Sequence, residues 1–136
     1  MMKRSLTTLI VLLSLCACFP AAGQSKPALL GVRKIYIEKM DNNLDSYLKS
    51  EIFKKFHGNM TVVLDRSQAD AVLRQIPLGA QNTNKGTVEL VDLSGKEVLW
   101  SGTAGDRNMM FLDMKHGGEH QIAEKLVSQM RKAMQP

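Results

Sequence analysis

Residues 1–23 constrain the fold more than any other stretch, because they remove both cysteines from it. Met1, Met2, Lys3 and Arg4 lead an uncharged run over residues 5–19, and the small residues Ala21, Ala22 and Gly23 follow. A cationic start, an apolar stretch and a small-residue exit are the marks of a secretory signal peptide. Cys16 and Cys18, the two cysteines of the chain, lie inside it. What is expected to fold is therefore a segment of about 110 residues with no thiol for a disulfide, a metal or catalysis, which must be held by one packed core.

The exit from the signal has two readings. Ala21 and Gly23 supply the small residues that an ordinary signal peptidase requires, leaving a soluble chain that starts at Gln24. Alternatively, Leu15-Cys16-Ala17-Cys18 resembles a bacterial lipobox, with Cys18 as the thiol to be acylated and the domain held at a membrane by its lipid chains. The protein is thus expected to be exported, to the periplasm or beyond, with membrane contact only through such an anchor. No later stretch approaches the roughly 18 apolar residues of a span. The formal charge of +5 falls by two when Lys3 and Arg4 are lost, too mild a bias for a nucleic-acid partner.

Residues 24–31 read as a tether and 32–136 as one domain. Residues 33–38 alternate, with Ile35 and Ile37 on one parity, and predict a strand. From Leu44 the period changes: Leu44, Tyr47, Leu48, Ile52, Phe53 and Phe56 form the stripe of an amphipathic helix. Asp41, Asn42 and Asn43 offer capping side chains before it, and Gly58 stands where a left-handed cap belongs. Asp45 with Lys49, and Glu51 with Lys55, are spaced for solvated ion pairs on the outer face.

Residues 60–64 predict a short strand of the sheet interior, parallel to the first through a right-handed crossover. A polar connector over 65–70, with at most one helical turn, leads to a strand over 71–76. Residues 79–86 have little to bury and read as a flexible loop. Residues 87–93 and 96–103 predict a hairpin turning at Ser94-Gly95, with Val88, Leu90, Val98 and Trp100 sharing the core face. After a long connection over 104–118, a last helix runs from about Glu119 to Met134 with Ile122, Ala123, Leu126, Val127, Met130 and Met134 inward and Arg131 and Lys132 in its final turn. The fold class expected is α/β: a two-layer sandwich of a mixed, about five-stranded sheet with two amphipathic helices on one face. The other face would be open or covered by the long connection, and an open face offers a docking place.

Two short motifs carry a resemblance. Ala69-Asp70-Ala71-Val72-Leu73, and later Asp92 with Ser94-Gly95-Lys96-Glu97-Val98-Leu99-Trp100-Ser101, resemble small bacterial envelope domains of the kind found at the N-terminus of TolB, in CsgG-like proteins and in the lipoproteins LpoB and LptE. The resemblance implies an assembly or regulatory module with no catalytic residues of its own, and does not transfer a partner; the expectation for this chain is an unidentified envelope protein partner and no cofactor. The β-propeller that accompanies the TolB domain is missing here, so a TolB-like role is not implied.

Candidate chemistry is sparse. His116-Gly117-Gly118-Glu119-His120 matches the H-x-x-E-H pattern of inverted zinc peptidases, yet its two glycines oppose the helix that would aim the ligands. Asp113, His116 and His120 stand as weak metal candidates against the alternative that both histidines are solvated. Ser101 lacks a nucleophile elbow and reads as a strand hydroxyl; Asp106 and Arg107 read as a loop ion pair, with a polar recognition point as the alternative; no phosphate-binding glycine loop is present. Met109, Met110, Phe111, Leu112 and Met114 concentrate large apolar side chains in a loop, either as an adaptable docking surface or as a cap on the core. Three functions follow in order: a non-catalytic envelope accessory or adaptor domain, a periplasmic binder of a small ligand or lipid, and a small enzyme of unrecognised type.

Overall fold

The computed structural model describes residues 26–77, 85–105 and 118–136. Helix α1 (Lys26–Leu30) is followed by β1 (Lys34–Ile37), α2 (Leu44–Phe56), β2 (Thr61–Val63), β3 (Ala71–Ile76), β4 (Lys85–Asp92), β5 (Val98–Gly105) and α3 (Gly118–Ala133). The five strands form one sheet in the order β2-β1-β3-β4-β5. β1 is parallel to both β2 and β3, and β3, β4 and β5 form an antiparallel meander. The chain is thus the α/β sandwich that its periodicities predict.

Side chains alternate across a strand, which divides the sheet into two faces. Ile35, Ile37, Ala71, Leu73, Val88 and Leu90 point to the helices and join Leu44, Leu48, Ile52 and Phe56 of α2 and Ile122, Ala123, Leu126, Val127 and Met130 of α3 in one core. The α2 contribution to this core recurs every four residues, so its apolar stripe is narrower than the sequence suggests. Tyr47 and Phe53, expected in that stripe, are exposed, Phe53 at 84%.

Several expectations are corrected. The segment read as a tether contains α1, and Leu29 within it is buried in the core. Asp41, Asn42 and Asn43 provide no side-chain cap to α2; Asn42 and Asn43 instead take left-handed φ angles of 54° and 59°. The left-handed exit of α2 begins one residue early, at His57 (φ 49°), and Gly58 continues it. β2 lies at the sheet edge, because β1 must pair with both β2 and β3, and Leu64 beyond it is 88% exposed. Lys85 and Gly86, placed in a loop by their composition, belong to β4.

The hairpin contains an irregularity that reverses one assignment. Leu90 pairs with Trp100 but Val91 pairs with Val98, so Leu99 is an extra residue in β5. A bulge of this kind shifts the alternation by one. Leu99 consequently enters the core while Val98, expected inside, is exposed. Trp100 packs against the core from the rim. A Cβ on Gly102 would sit 2.5 Å from the Trp100 ring, so glycine is what lets the indole lie along the strand.

The second face of the sheet is neither fully open nor bare. To pass from β2 to β3 the chain must cross β1, and the helices occupy the other side. Its short turn at Arg66–Gln68 packs against β1, with Arg66 bridging to Glu38 at 3.4 Å. Ala69, Val72 and Val91 are buried here, apart from the main core. Farther along, the face is polar: Arg74 pairs with Glu89 at 3.2 Å, and the Thr87 and Thr103 hydroxyls share a 2.8 Å hydrogen bond.

Both edges are blunted. β2 has three residues, and α3 covers part of β5: Lys125 Nζ donates to the Gly105 carbonyl at 2.7 Å and Gln129 Nε2 to the Thr103 carbonyl at 3.1 Å. Unpaired strand carbonyls attract foreign strands, and these two are satisfied from within the chain.

Candidate functional site

The aspartates of the two sequence motifs are backbone clamps. Asp70 Oδ2 accepts the backbone N–H groups of Arg33 and Lys34, both at 2.8 Å, and so fixes the start of β1 beside the start of β3. Those two hydrogen bonds hold its carboxyl below the ordinary aspartate value. Asp92 accepts from the Ser94 hydroxyl and from the backbone N–H groups of Lys96 and Glu97, closing the hairpin turn around Gly95 (φ 71°), and its pKa is lowered by the same contacts. Asp65 is lowered in the same sense by the Ser67 hydroxyl and N–H. Each of these groups is ionised at neutral pH and spends its acceptors on the fold.

The two acids expected on the solvated face of α2 are buried. Asp45 is 3% exposed; burial pushes its carboxyl up, but the Met40 backbone N–H and the ammonium groups of Lys39 and Lys49 outweigh that and leave it lowered. Glu51, also 3% exposed, lies between Lys54 at 3.0 Å, Lys55 at 3.9 Å and His120 Nε2 at 3.3 Å. The predicted Asp45–Lys49 and Glu51–Lys55 pairs do form. What the spacing misses is that α3 packs alongside α2: Tyr47 meets the His120 ring edge-on at 5.8 Å, and Lys55 Nζ donates to the Glu124 carbonyl and the Ser128 hydroxyl. The seam between the helices is therefore polar, while the face each turns to the sheet is apolar.

Of the candidate metal residues, His120 is engaged with Glu51, whereas Asp113 and His116 lie outside the described residues. Among the described residues no group of three His, Cys, Asp or Glu side chains is placed to hold a metal ion. Met109, Met110, Phe111, Leu112 and Met114, Asp106 and Arg107, and the lipidation candidate Cys18 also lie outside them. Ser101 donates to the Val88 carbonyl at 3.3 Å, as a strand hydroxyl does.

The structure brings together a group of residues that the sequence does not single out. At the end of the domain where α2 and α3 terminate and β1 begins, a cavity of about 370 Å³ is bordered by Arg33, His57, Asn59, Arg131 and Gln135. Val32, Phe56 and Met60, all buried, form its apolar floor. The helix-end carbonyls that would repel an anion are partly occupied: the Phe56 carbonyl by the Asn59 N–H, and the Met130, Arg131 and Lys132 carbonyls by the N–H groups of Met134 and Gln135. Its border has cations and amides but no carboxylate.

No protein-family model matches the sequence. The resemblance to TolB-type, CsgG-like, LpoB and LptE domains thus rests on the two motifs alone. Among solved structures, the chain is similar to the solution NMR structure of an uncharacterized lipoprotein B from Nitrosomonas europaea, at 15% identity over 76% of this chain and 74% of that one, with a TM-score of 0.38. At that level no residue role passes from one protein to the other.

The cavity escapes a linear reading because its parts come from three separate segments, and the cations of each have a local explanation. Arg131 in the last turn of α3 suits the helix dipole, and Arg33 beside a strand reads as a surface residue. Only the fold puts them on one rim.

Proposed function

We propose that the chain is an exported, non-catalytic accessory domain of the cell envelope, which acts by binding. The observation that supports this most directly is how the fold uses its acids. Asp45, Asp65, Asp70 and Asp92 all have lowered pKa values because they hold backbone N–H groups or ammonium partners. General acid or base work at neutral pH calls for the opposite displacement, toward neutrality. The secretory pattern of residues 1–23 supports export, and the Leu15-Cys16-Ala17-Cys18 sequence supports a lipid anchor as one form of it.

The partner we propose is an envelope protein. Strand addition is disfavoured as the mode, since one sheet edge is short and the other is partly covered by α3. A second reading, a small-ligand binder, is favoured by the cavity at the ends of α2 and α3.

Intact mass of the purified protein with membrane fractionation tests export and anchoring together. A start at Gln24 in the soluble fraction, or at a diacylated Cys18 in the membrane fraction, supports the reading; an unprocessed Met1 chain inside the cell overturns it. Crosslinking in intact cells tests the partner, with a discrete adduct to one envelope protein expected. A protein recovered only as an uncrosslinked monomer overturns the adaptor role.

A further inference from the structure

We infer that the cavity between the ends of α2 and α3 and the segment before β1 is a binding site for an organic phosphate, with Arg33 and Arg131 as its anion-holding residues. The inference deepens the binding reading above and rests on it. Four arginines lie among the described residues. Arg66 is paired with Glu38 and Arg74 with Glu89. The two that make no ion-pair contact among the described residues, Arg33 and Arg131, are the two that border this cavity, and the Asp70 carboxylate whose charge Arg33 feels is already held by the backbone N–H groups of Arg33 and Lys34. They are far apart in sequence, so no local need explains their meeting.

Guanidinium groups present a planar fork of N–H donors that matches phosphate oxygens two at a time. Arg33 is already oriented, its Nη1 donating to the Leu30 and Val32 carbonyls at 3.1 and 3.2 Å, which leaves its other donors available. Lys55 contributes its stem rather than its charge, because its ammonium is turned to Glu124 and Ser128 of α3. The volume of about 370 Å³ falls at the small end of organic-ligand sites, which run from roughly 300 to 1,000 Å³. That exceeds what a bare ion fills, and the floor of Val32, Phe56 and Met60 would cover an alkyl stem. Charge at the rim and apolar surface beneath it select a molecule with both parts.

Two sources share this chemistry: a soluble phosphate ester, and the headgroup of an anionic phospholipid. α1 runs directly into Val32 and Arg33, so the chain enters the domain beside the cavity. An anchor at Cys18 would bring that end toward a bilayer, which makes the headgroup arm worth measuring.

The test titrates the purified processed protein with hexyl phosphate and with inorganic phosphate, following Trp100 fluorescence and calorimetry, and measures co-sedimentation with vesicles of phosphatidylglycerol against phosphatidylcholine. Saturable binding of hexyl phosphate, tighter than that of inorganic phosphate, is expected. R131Q should weaken it about tenfold or more, the loss of a charge-assisted pair. K132Q makes the same charge change one residue away, outside the cavity, and should leave binding within about twofold. R33Q should repeat the R131Q loss, with circular dichroism reporting that the fold is intact. Arg131-dependent sedimentation with phosphatidylglycerol identifies the lipid headgroup, and hexyl phosphate binding without it identifies a soluble ester. No saturable binding at millimolar hexyl phosphate, equal losses in R131Q and K132Q, or equal affinity for inorganic phosphate overturns the assignment. Those failures leave the crosslinking result of the adaptor reading untouched, so the two are separable.

Discussion

On the helix side of the sheet, Ile35, Leu73 and Leu90 meet Leu48, Ile52 and Leu126 in a continuous apolar layer, whereas on the other side Ala69, Val72 and Val91 are buried and an ion pair and a threonine pair follow. The difference comes from what each face has to pack against. Two helices of 13 and 16 residues bring an apolar residue to the first face with nearly every turn. A connection of a few residues brings Ala69 to the second. A sheet face is only as apolar as its cover permits, so the first holds the domain together and the second closes it locally.

The largest effect that sharpens this comparison belongs to the first face. Ile52 is fully buried among both helices and the sheet, and Ile52→Ala should cost about 2–5 kcal/mol, the transfer loss plus an unrelaxed cavity. Urea unfolding checks it. A loss under about 1 kcal/mol would mean that this layer is loosely packed and that the two faces do not differ in kind.

Gly102 lies at the border of that layer. Gly102→Ala drives a Cβ against the indole of Trp100, where 2.5 Å is available, and overpacking of this sort costs about 1–3 kcal/mol. Trp100 is the single tryptophan of the chain, so its emission reports the displacement directly. An unshifted spectrum with unchanged stability would show that the indole does not lie over the strand.

Val72 measures the second face. It is as buried as Ile52 but packs under a thin cover, and Val72→Ala should cost about 1–2 kcal/mol from two lost methyl groups and a cavity that the connection can partly close. If it matched Ile52→Ala, the second face would be a core in its own right.

The unequal legibility of the sequence follows the same division. Where periodicity meets a deep core it can be read: Leu44–Phe56, Ala71–Ile76 and the inward side of α3 stand where their patterns put them. The failures occur where one residue answers to two neighbours. Glu51 has the spacing of a solvated pair, yet the His120 side of α3 closes over it. Val98 has the parity of a core residue, yet the extra Leu99 rotates it outward. The cavity of Arg33 and Arg131 was illegible for a third reason, since nothing within either segment refers to the other. By contrast the two motif aspartates were visible as a pattern, and the structure supplies their cause.

Asp70 gives the smallest of these effects and the one whose sign is fixed most tightly. It joins the faces, holding the N–H groups of Arg33 and Lys34 at the start of the strand between them. Both hydrogen bonds favour the charged carboxylate, so its pKa is lower folded than unfolded. The native state therefore binds the proton less readily than the unfolded chain. The stabilisation is fully present above the ordinary aspartate value and is lost as pH falls through the lowered folded value. Asp70→Asn keeps an acceptor but removes its charge, and for an exposed group this should cost about 1 kcal/mol at neutral pH. The gap between wild type and D70N should close on acidification. Asp45, Asp65 and Asp92 shift in the same direction, so both proteins lose stability in acid, and it is their difference that isolates Asp70. A gap that stayed constant across that range would mean that the clamp works by shape, with charge adding nothing.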